Sequence, residues 1–264
     1  MPFTIATWNI NSVRLREGLV TRFLAEEAPD ILCLQECKTP VEKFPTEGFA
    51  ALGYRHIVAR GQKGYNGVAI LSRLPLEDAG SVDFAEMGHA RHVAARLPGG
   101  VVIHNCYVPA GGDIPDRTEN PKFGQKLDFL THLRDWARAD RPARSVLVGD
   151  LNIAPREDDV WNHKALLKIV SHTPIEVEHL GAAQEAGGWI DVTRADMPQG
   201  RLYSWWSYRA PDWDTADKGR RLDHIWATPD IAGAAHGSRI LRPLRGWDQP
   251  SDHVPVLSSF DLTP

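Results

Sequence analysis

Acids and amides stand at the ends of apolar, strand-forming runs. Asn9 follows Thr4-Ile5-Ala6-Thr7-Trp8, Glu36 follows Ile31-Leu32-Cys33-Leu34-Gln35, and Asp150 with Asn152 follows Ser145-Val146-Leu147-Val148-Gly149. Nearer the other end, Asp223 lies in Arg221-Leu222-Asp223-His224-Ile225, and Asp252-His253 immediately precedes Val254-Pro255-Val256-Leu257. Strands in layered α/β folds align, so their ends can converge on one mouth. A cluster of Asn, Glu and Asp there is a hard oxygen-ligand site suited to Mg²⁺. A carboxylate, an imidazole and a metal together suggest hydrolysis of a phosphate ester. Taken singly, an Asp or Asn after a strand most often caps a turn, because its short side chain satisfies local backbone donors. Five strand ends that each carry a group required by the same chemistry are difficult to explain as capping. In an extended segment the two-residue spacing of Asp150 and Asn152 points both side chains the same way, so Asn152 can donate its amide while Asp150 takes a proton. A Ser-His-Asp acyl-transfer triad is excluded, because no serine stands in a Gly-x-Ser-x-Gly elbow.

The elements that must position these groups are legible as apolar, β-rich runs: Phe3–Trp8, Ile31–Leu34, Val68–Leu71, His92–Leu97, Val101–Val108, Val146–Val148, Leu222–Trp226 and Val254–Phe260. Pro98-Gly99-Gly100 reads as a hairpin turn. Ser12 is expected to cap a helix in which Leu15, Leu19, Phe23 and Leu24 share a face, and Leu127, Leu130, Leu133 and Trp136 mark a second. Thr173-Pro174 opens a third helix and Gly187-Gly188 closes it. Long loops are expected at 109–121 and 207–221. With 264 residues, 42% of them hydrophobic and 24% charged, and no repeat or linker, the chain reads as one layered α/β domain over residues 1–264.

Three cysteines, Cys33, Cys37 and Cys106, are an odd count in a long chain. They read as buried thiols inside apolar strands, not as a disulfide scaffold or a zinc site. The absence of a signal-like start and of about 20 consecutive apolar residues leads to an expectation of a soluble, cytoplasmic protein with no membrane partner. A formal charge of -4, from 30 Lys+Arg against 34 Asp+Glu, gives the whole molecule no field that would attract nucleic acid. Any polyanion must then meet local clusters. Lys38, Arg55, Arg60 and Lys63 near the early strand ends, and Lys122, Lys126, Arg209, Lys218, Arg220 and Arg221 near the long loops, are the candidates. His163, His172 and His179 form no ligand pattern, and Gly61-x-x-Gly64-x-x-Gly67 lacks the strand-then-helix context of a dinucleotide site.

Seven blocks, in order, make the chain resemble the exonuclease III family of AP endonucleases, DNA-repair enzymes within the endonuclease/exonuclease/phosphatase fold. They are Thr7-Trp8-Asn9-Ile10-Asn11-Ser12-Val13-Arg14, Leu34-Gln35-Glu36-Cys37-Lys38, Gly64-Tyr65-Asn66-Gly67-Val68-Ala69, Asn105-Cys106-Tyr107-Val108-Pro109, Gly149-Asp150-Leu151-Asn152-Ile153-Ala154-Pro155, Arg221-Leu222-Asp223-His224 and Ser251-Asp252-His253-Val254-Pro255. The resemblance implies a DNase I-like four-layered α/β sandwich of two packed β-sheets flanked by helices. It also implies Mg²⁺- or Mn²⁺-dependent incision of double-stranded DNA 5′ to abasic sites, with 3′-5′ exonuclease and 3′-phosphodiesterase activity at 3′ ends; a monomer is the default expectation. A small-molecule or RNA phosphoesterase of the same fold and a catalytically silent DNA-binding module are the alternatives.

By the same resemblance Glu36 is the main metal ligand, with Asn9 and Asp252 close by. Asp150 is assigned as general base beside Asn152, and His253 to the scissile phosphate, fixed by Asp223. Tyr107 donates to the phosphate or the leaving group, and it could exchange duties with Asp150 at the leaving oxygen. Asn11, Lys38, Asn66 and Arg209 are assigned to substrate. Tyr203-Ser204-Trp205-Trp206-Ser207-Tyr208-Arg209 matches the aromatic segment of the DNA-repair branch. Trp205 and Leu222 are assigned there to a baseless sugar, with Trp206 as a further contact or a support from behind, and Trp213 could reach the minor groove. One departure lies near the chemistry: Ala110, followed by Gly111-Gly112-Asp113, stands where the family has Asn or Gln.

Overall fold

In the computed structural model, which describes residues 2–140 and 142–262, two six-stranded sheets pack face to face. The strands are β1 (Pro2–Asn9), β2 (Ile31–Gln35), β3 (His56–Arg60), β4 (Val68–Ser72), β5 (Glu77–Asp78), β6 (His92–Arg96), β7 (Val102–Tyr107), β8 (Ser145–Asp150), β9 (Ile190–Asp191), β10 (Asp223–Ala227), β11 (Ala235–Ile240) and β12 (Val256–Asp261). One sheet runs β11-β12-β1-β2-β4-β3 and the other β5-β6-β7-β8-β10-β9. The pairs β1/β2 and β7/β8 are parallel, and the remaining neighbours antiparallel.

Alternation along the strands builds the layers. Ile5, Ile31, Cys33 and Ile70 meet Val93, Ile103, Val148 and Ile225 in the core between the sheets. Their neighbours Ala6, Leu32, Leu34 and Leu71 face outward beneath Phe23 and Leu24 of the helix Glu17–Glu26. On the other side Leu147 and Trp226 are covered by Phe129, Leu130 and Leu133 of the helix Pro121–Asp140 and by Leu180 and Ala183 of the helix Pro174–Ala186. Central strands covered on both faces are apolar throughout, which is why β2, β4 and β8 stood out in the sequence. The four-layered sandwich expected from the sequence is the observed fold.

At one end of the core a polar contact joins the sheets. Asn105 on β7 donates through Nδ2 to the carbonyls of Leu34 (3.0 Å) and Ala69 (2.9 Å), and its Oδ1 accepts from Gln35 Nε2 (2.7 Å). Gln35 also donates to Thr7 Oγ1 at 2.9 Å.

All eight apolar runs form strands. The hairpin turn lies between β6 and β7 with Gly99 and Gly100 at φ 88° and 84°. The third helix has a capping box between Thr173 and Glu176. The first helix differs from expectation: it starts at Glu17, not after Ser12, and Leu15 is 64% exposed. Ser12 N and Val13 N instead donate to the carbonyls of Glu36 and Cys37, so that stretch serves as a strap beside β2. The 207–221 segment carries a short helix, Trp213–Ala216, and returns so that Trp205 pairs with Arg220. All three thiols are buried and free, and Cys37 lies just beyond β2 instead of within a strand.

His92 and His104 stack in the second sheet, with Val82 N donating to His92 Nδ1 (2.9 Å) and His92 Nε2 lying 3.2 Å from His104 Nδ1. The Val82 bond requires an unprotonated Nδ1, so His92 donates from Nε2 and both rings are neutral. Burial, then the proximity of the two rings, holds His92 well below the usual imidazole value, and burial brings His104 down to about 4. The unfolded chain therefore binds protons first, and stability should fall as pH drops below about 6.5, the loss for His104 approaching about 3 kcal/mol near pH 4. Denaturation at pH 6.5 and 5 should show this slope, and His104→Asn should flatten it. An unchanged slope in the variant would refute the account.

Candidate active site

Parallel pairing within β1/β2 and β7/β8 puts Asn9, Glu36, Tyr107 and Asp150 at one end of the sandwich. Antiparallel pairing then adds the N-terminal ends of the neighbours: Asp223 lies opposite Asp150, and His253 just precedes β12 beside β1. Asn9 joins the two sheets here, donating through Nδ2 to Glu36 Oε1 (3.0 Å) and Asp150 Oδ2 (2.8 Å). Tyr107 Oη donates to Glu36 Oε1 at 2.8 Å, and Lys38 Nζ lies 2.7 Å from Glu36 Oε2. Asp150 accepts from Asn152 N through Oδ1 (2.9 Å) and from Asn152 Nδ2 through Oδ2 (3.0 Å). His253 Nδ1 is 2.8 Å from Asp223 Oδ2, and its Nε2 is 3.7 Å from Asp150 Oδ2.

The charges follow from this packing. Burial opposes the imidazolium of His253, but Asp223 and then Asp150 outweigh it and lift the group to about 10. Asp150 is raised well above the carboxylate range by burial and by Asp223 and Glu36, against the pull of His253 and Asn9. Glu36 is lowered despite its burial because Lys38, Asn9 and Tyr107 stabilise the anion. Burial and the neighbouring carboxylates hold Tyr107 well above its usual value, so it keeps its proton.

Atoms of Asp150, Asp223 and His253 all lie within 4.8 Å of one another, Asp223 Oδ1 is buried without a partner, and Glu36 stands beside them. Crowded carboxylate oxygens of this kind fit a divalent hard cation. Asn9 turns its NH₂ toward the carboxylates while its Oδ1 accepts from Asn11 N (3.1 Å), so here it bridges acids and offers no oxygen. Asp252 accepts from Trp205 Nε1 at 3.0 Å and from Asn11 Nδ2 at 3.4 Å. The mouth opens into a cavity of about 610 Å³ walled by Trp205 and Leu222.

The model of the Endonuclease/Exonuclease/phosphatase family matches residues 6–253. The chain belongs to this family. It is 28% identical to the exodeoxyribonuclease III of Haemophilus influenzae over 96% of this chain and 98% of that relative. Its structure is similar to an AP endonuclease from Archaeoglobus fulgidus (TM-score 0.91, 34% identity, 98% of this chain and 100% of that one). It is also similar to a 3′ phosphatase from Neisseria bound to a product DNA hairpin (TM-score 0.90, 33% identity, 98% and 100%).

Within this family frame several side chains sit differently from their sequence reading. Asn152 meets Asp150 because it turns back at φ 55° beyond β8, not because the segment is extended. Trp206 is buried and donates to Asp217 Oδ1 (3.0 Å), with Trp213 against its ring, so both stand behind the cavity wall and Trp205 alone of the three faces it. Asn66 is buried, donates to Gln62 Oε1 (2.9 Å), and supports the Lys38 turn through its carbonyl. Asn11 receives Lys38 Nζ on its Oδ1.

Of the basic residues, Arg209, Lys218 and Arg220 line the cavity. Arg60 is spent on Asp78, Arg221 is buried between Asp159 and Asp191, and Lys126 is buried against Glu176. Ala110 and Gly112 line the cavity, and the Ala110 carbonyl faces Lys126 Nζ at 3.4 Å. His163 Nδ1 lies 2.9 Å from His172 Nε2 and Glu157 Oε1 lies 3.5 Å from His163 Nε2, but among the described residues they form no cluster of three ligand atoms around one point.

Two contributors were missed. Ser204 Oγ donates to Asp223 Oδ2 (2.6 Å), and its sequence signal was its place beside Trp205. Arg91, which lies over the Tyr107 ring at 4.6 Å, had none.

Lys126 also donates to the Asn152 carbonyl (2.8 Å), and Glu176 accepts from Ser171 N (2.9 Å) and Thr173 N (3.1 Å). Glu176→Ala would strand a buried ammonium and should lose about 3–5 kcal/mol of stability, whereas the pair Lys126→Met/Glu176→Leu should lose less. Equal losses in urea denaturation would count against a buried charge as the cause.

Proposed function

We propose that the protein is a metal-dependent DNA-repair phosphodiesterase that incises duplex DNA 5′ to abasic sites and also processes 3′ ends, acting as a monomer in base excision repair. The observation that carries this reading is the convergence of Glu36, Asp150, Asn152, Asp223 and His253 on one mouth that opens beside Trp205 and Leu222. The names of the relatives, an exodeoxyribonuclease III, an AP endonuclease and a 3′ phosphatase, support it.

Glu36, with Asp252 nearby, would hold Mg²⁺ or Mn²⁺, which would supply charge neutralisation to the phosphoryl group and its leaving oxygen. Asp150 accepts the proton of the attacking water. Its carboxylate is aimed by the amides of Asn9 and Asn152, so the base is positioned before substrate arrives. His253 presents Nε2 to the phosphate and carries positive charge, because Asp223 holds Nδ1. Tyr107, a retained phenol, offers its proton toward the phosphate or the leaving oxygen. An extruded sugar fits between Trp205 and Leu222, where a missing base lowers the cost of extrusion. Arg209, Lys218 and Arg220 supply the cation cluster that the net charge withholds. No helix among the described residues is long and apolar enough to cross a membrane.

A duplex with one abasic site should be cut 5′ to the lesion with Mg²⁺ and remain intact with a chelator. Asp150→Asn and His253→Ala should each lower the rate at least ~10²-fold, about 3 kcal/mol of transition-state stabilisation. Near-normal turnover in either variant at saturating Mg²⁺ would remove that residue from the mechanism. Binding without a cut would point to a silent DNA-binding module, and neither binding nor cutting to another ester.

A further inference from the structure

Arg220 is a largely buried guanidinium on the cavity wall; among the described residues no carboxylate lies within ion-pair distance of it, and Glu176 acts on it only at longer range. The contrast with its surroundings is sharp, since Arg194 and Arg221 both reach Asp159 and Lys126 reaches Glu176. Arg220 Nη1 donates to the Val170 carbonyl (2.9 Å) and to Ser171 Oγ (2.7 Å), its guanidinium lies 5.2 Å from the Trp205 ring centre, and its Nε is buried without a partner. Buried charges are ordinarily paired, so a half-satisfied guanidinium facing an open cavity is set for an anion that arrives with a ligand. With Nη1 bonded and Nε buried, Nη2 is the group left to meet an oxygen of a phosphate or carboxylate.

The place of this group in the site is fixed by the main chain. Trp205 pairs through its main chain with His253 on one side and with Arg220 on the other, so the backbones of Arg220 and His253 lie two strand spacings, roughly 9–10 Å, apart. A residue seated against Trp205 therefore has the His253 strand on one side and the Arg220 strand on the other. Lys218, whose Nζ lies 5.1 Å from the Trp161 ring centre, and Arg209 line the same cavity, while Asp113 is the acid of its 110–113 edge.

We propose that Arg220 reads an oxyanion carried one nucleotide beyond the scissile phosphorus, on the 3′ side of the residue seated against Trp205. This rests on the reading of the protein as an abasic-site nuclease. The oxyanion is either the terminal phosphate of a blocked 3′ end or the next phosphodiester of an unbroken strand.

Three duplexes carrying the same tetrahydrofuran abasic analogue test it: one with the analogue inside a continuous strand, one with it at a 3′ terminus ending in hydroxyl, and one with it at a 3′ terminus ending in phosphate. Incision 5′ to the analogue is scored separately from release of phosphate. The wild-type protein with Mg²⁺ should cut an oxyanion-bearing duplex at least about 10-fold faster than the hydroxyl-ended one, by kcat/KM. Arg220→Gln should collapse that ratio toward one, and Arg220→Lys should restore part of it. Preference for the phosphate-ended duplex alone assigns the site to blocked ends. Preference that extends to the continuous strand, or is confined to it, assigns it to the following phosphodiester.

A wild-type protein that cuts all three equally, or an Arg220→Gln variant that slows all three by the same factor, overturns the proposal. The wild-type comparison decides even if the variant does not fold. Failure of the wild-type protein to cut any of the three would instead strike the nuclease reading itself.

Discussion

The two sheets meet through apolar side chains, which attract without direction, and the amide of Asn105 is what gives that contact a register at the catalytic end. It ties β7 to the carbonyls of Leu34 and Ala69 and to the Gln35 amide. Glu36 is the next residue after Gln35, and Tyr107 lies two beyond Asn105. A slip of one sheet over the other would therefore separate the phenol from the carboxylate it bonds, and would leave several buried polar groups unsatisfied at about 1–3 kcal/mol each. Asn9 repeats the device a few ångströms further out by spanning Glu36 and Asp150. The site is in this sense a seam, held by amides that cross between layers.

Around the seam the loops are secured by ion pairs taken out of water. Lys126 and Glu176 collect the 110, 152 and 171–173 segments, and Arg221 with Arg194 gathers Asp159 and Asp191. Such pairs contribute little net stability compared with apolar substitutes of equal size, but they make every alternative arrangement of those loops expensive. They also decide which cations of an acidic chain reach the cavity. Some of its cations are consumed as internal fasteners, and those that reach the cavity are concentrated at Arg209, Lys218 and Arg220.

Strand ends were legible because β2, β4 and β8 are covered on both faces and so read as unbroken apolar runs with a polar residue at the edge. The edge strands β3 and β11 were not, since half-exposed positions such as His56, Arg60, His236 and Arg239 break the pattern, and β11 carries a bulge between His236 and Arg239. A basic residue beside a loop does not announce whether it points outward, so Lys126 and Arg221 read as candidates for a polyanion although both are buried. The split between Trp205 and Trp206 follows the alternation of an extended chain, where adjacent side chains leave on opposite faces. The start of the first helix was hidden for another reason: the amides of Ser12 and Val13 are claimed by carbonyls distant in sequence.

Asn11, Glu36, Lys38 and Asn152 all hold left-handed backbone, at φ 48°, 50°, 52° and 55°. Each such residue bears a conformational penalty of order 1 kcal/mol that glycine would not. Thermodynamic optimisation and catalytic competence therefore pull these positions in opposite directions. A library screened for thermostability alone would drift toward glycine at Glu36 or Asn152 and recover sturdier proteins that had lost their chemistry.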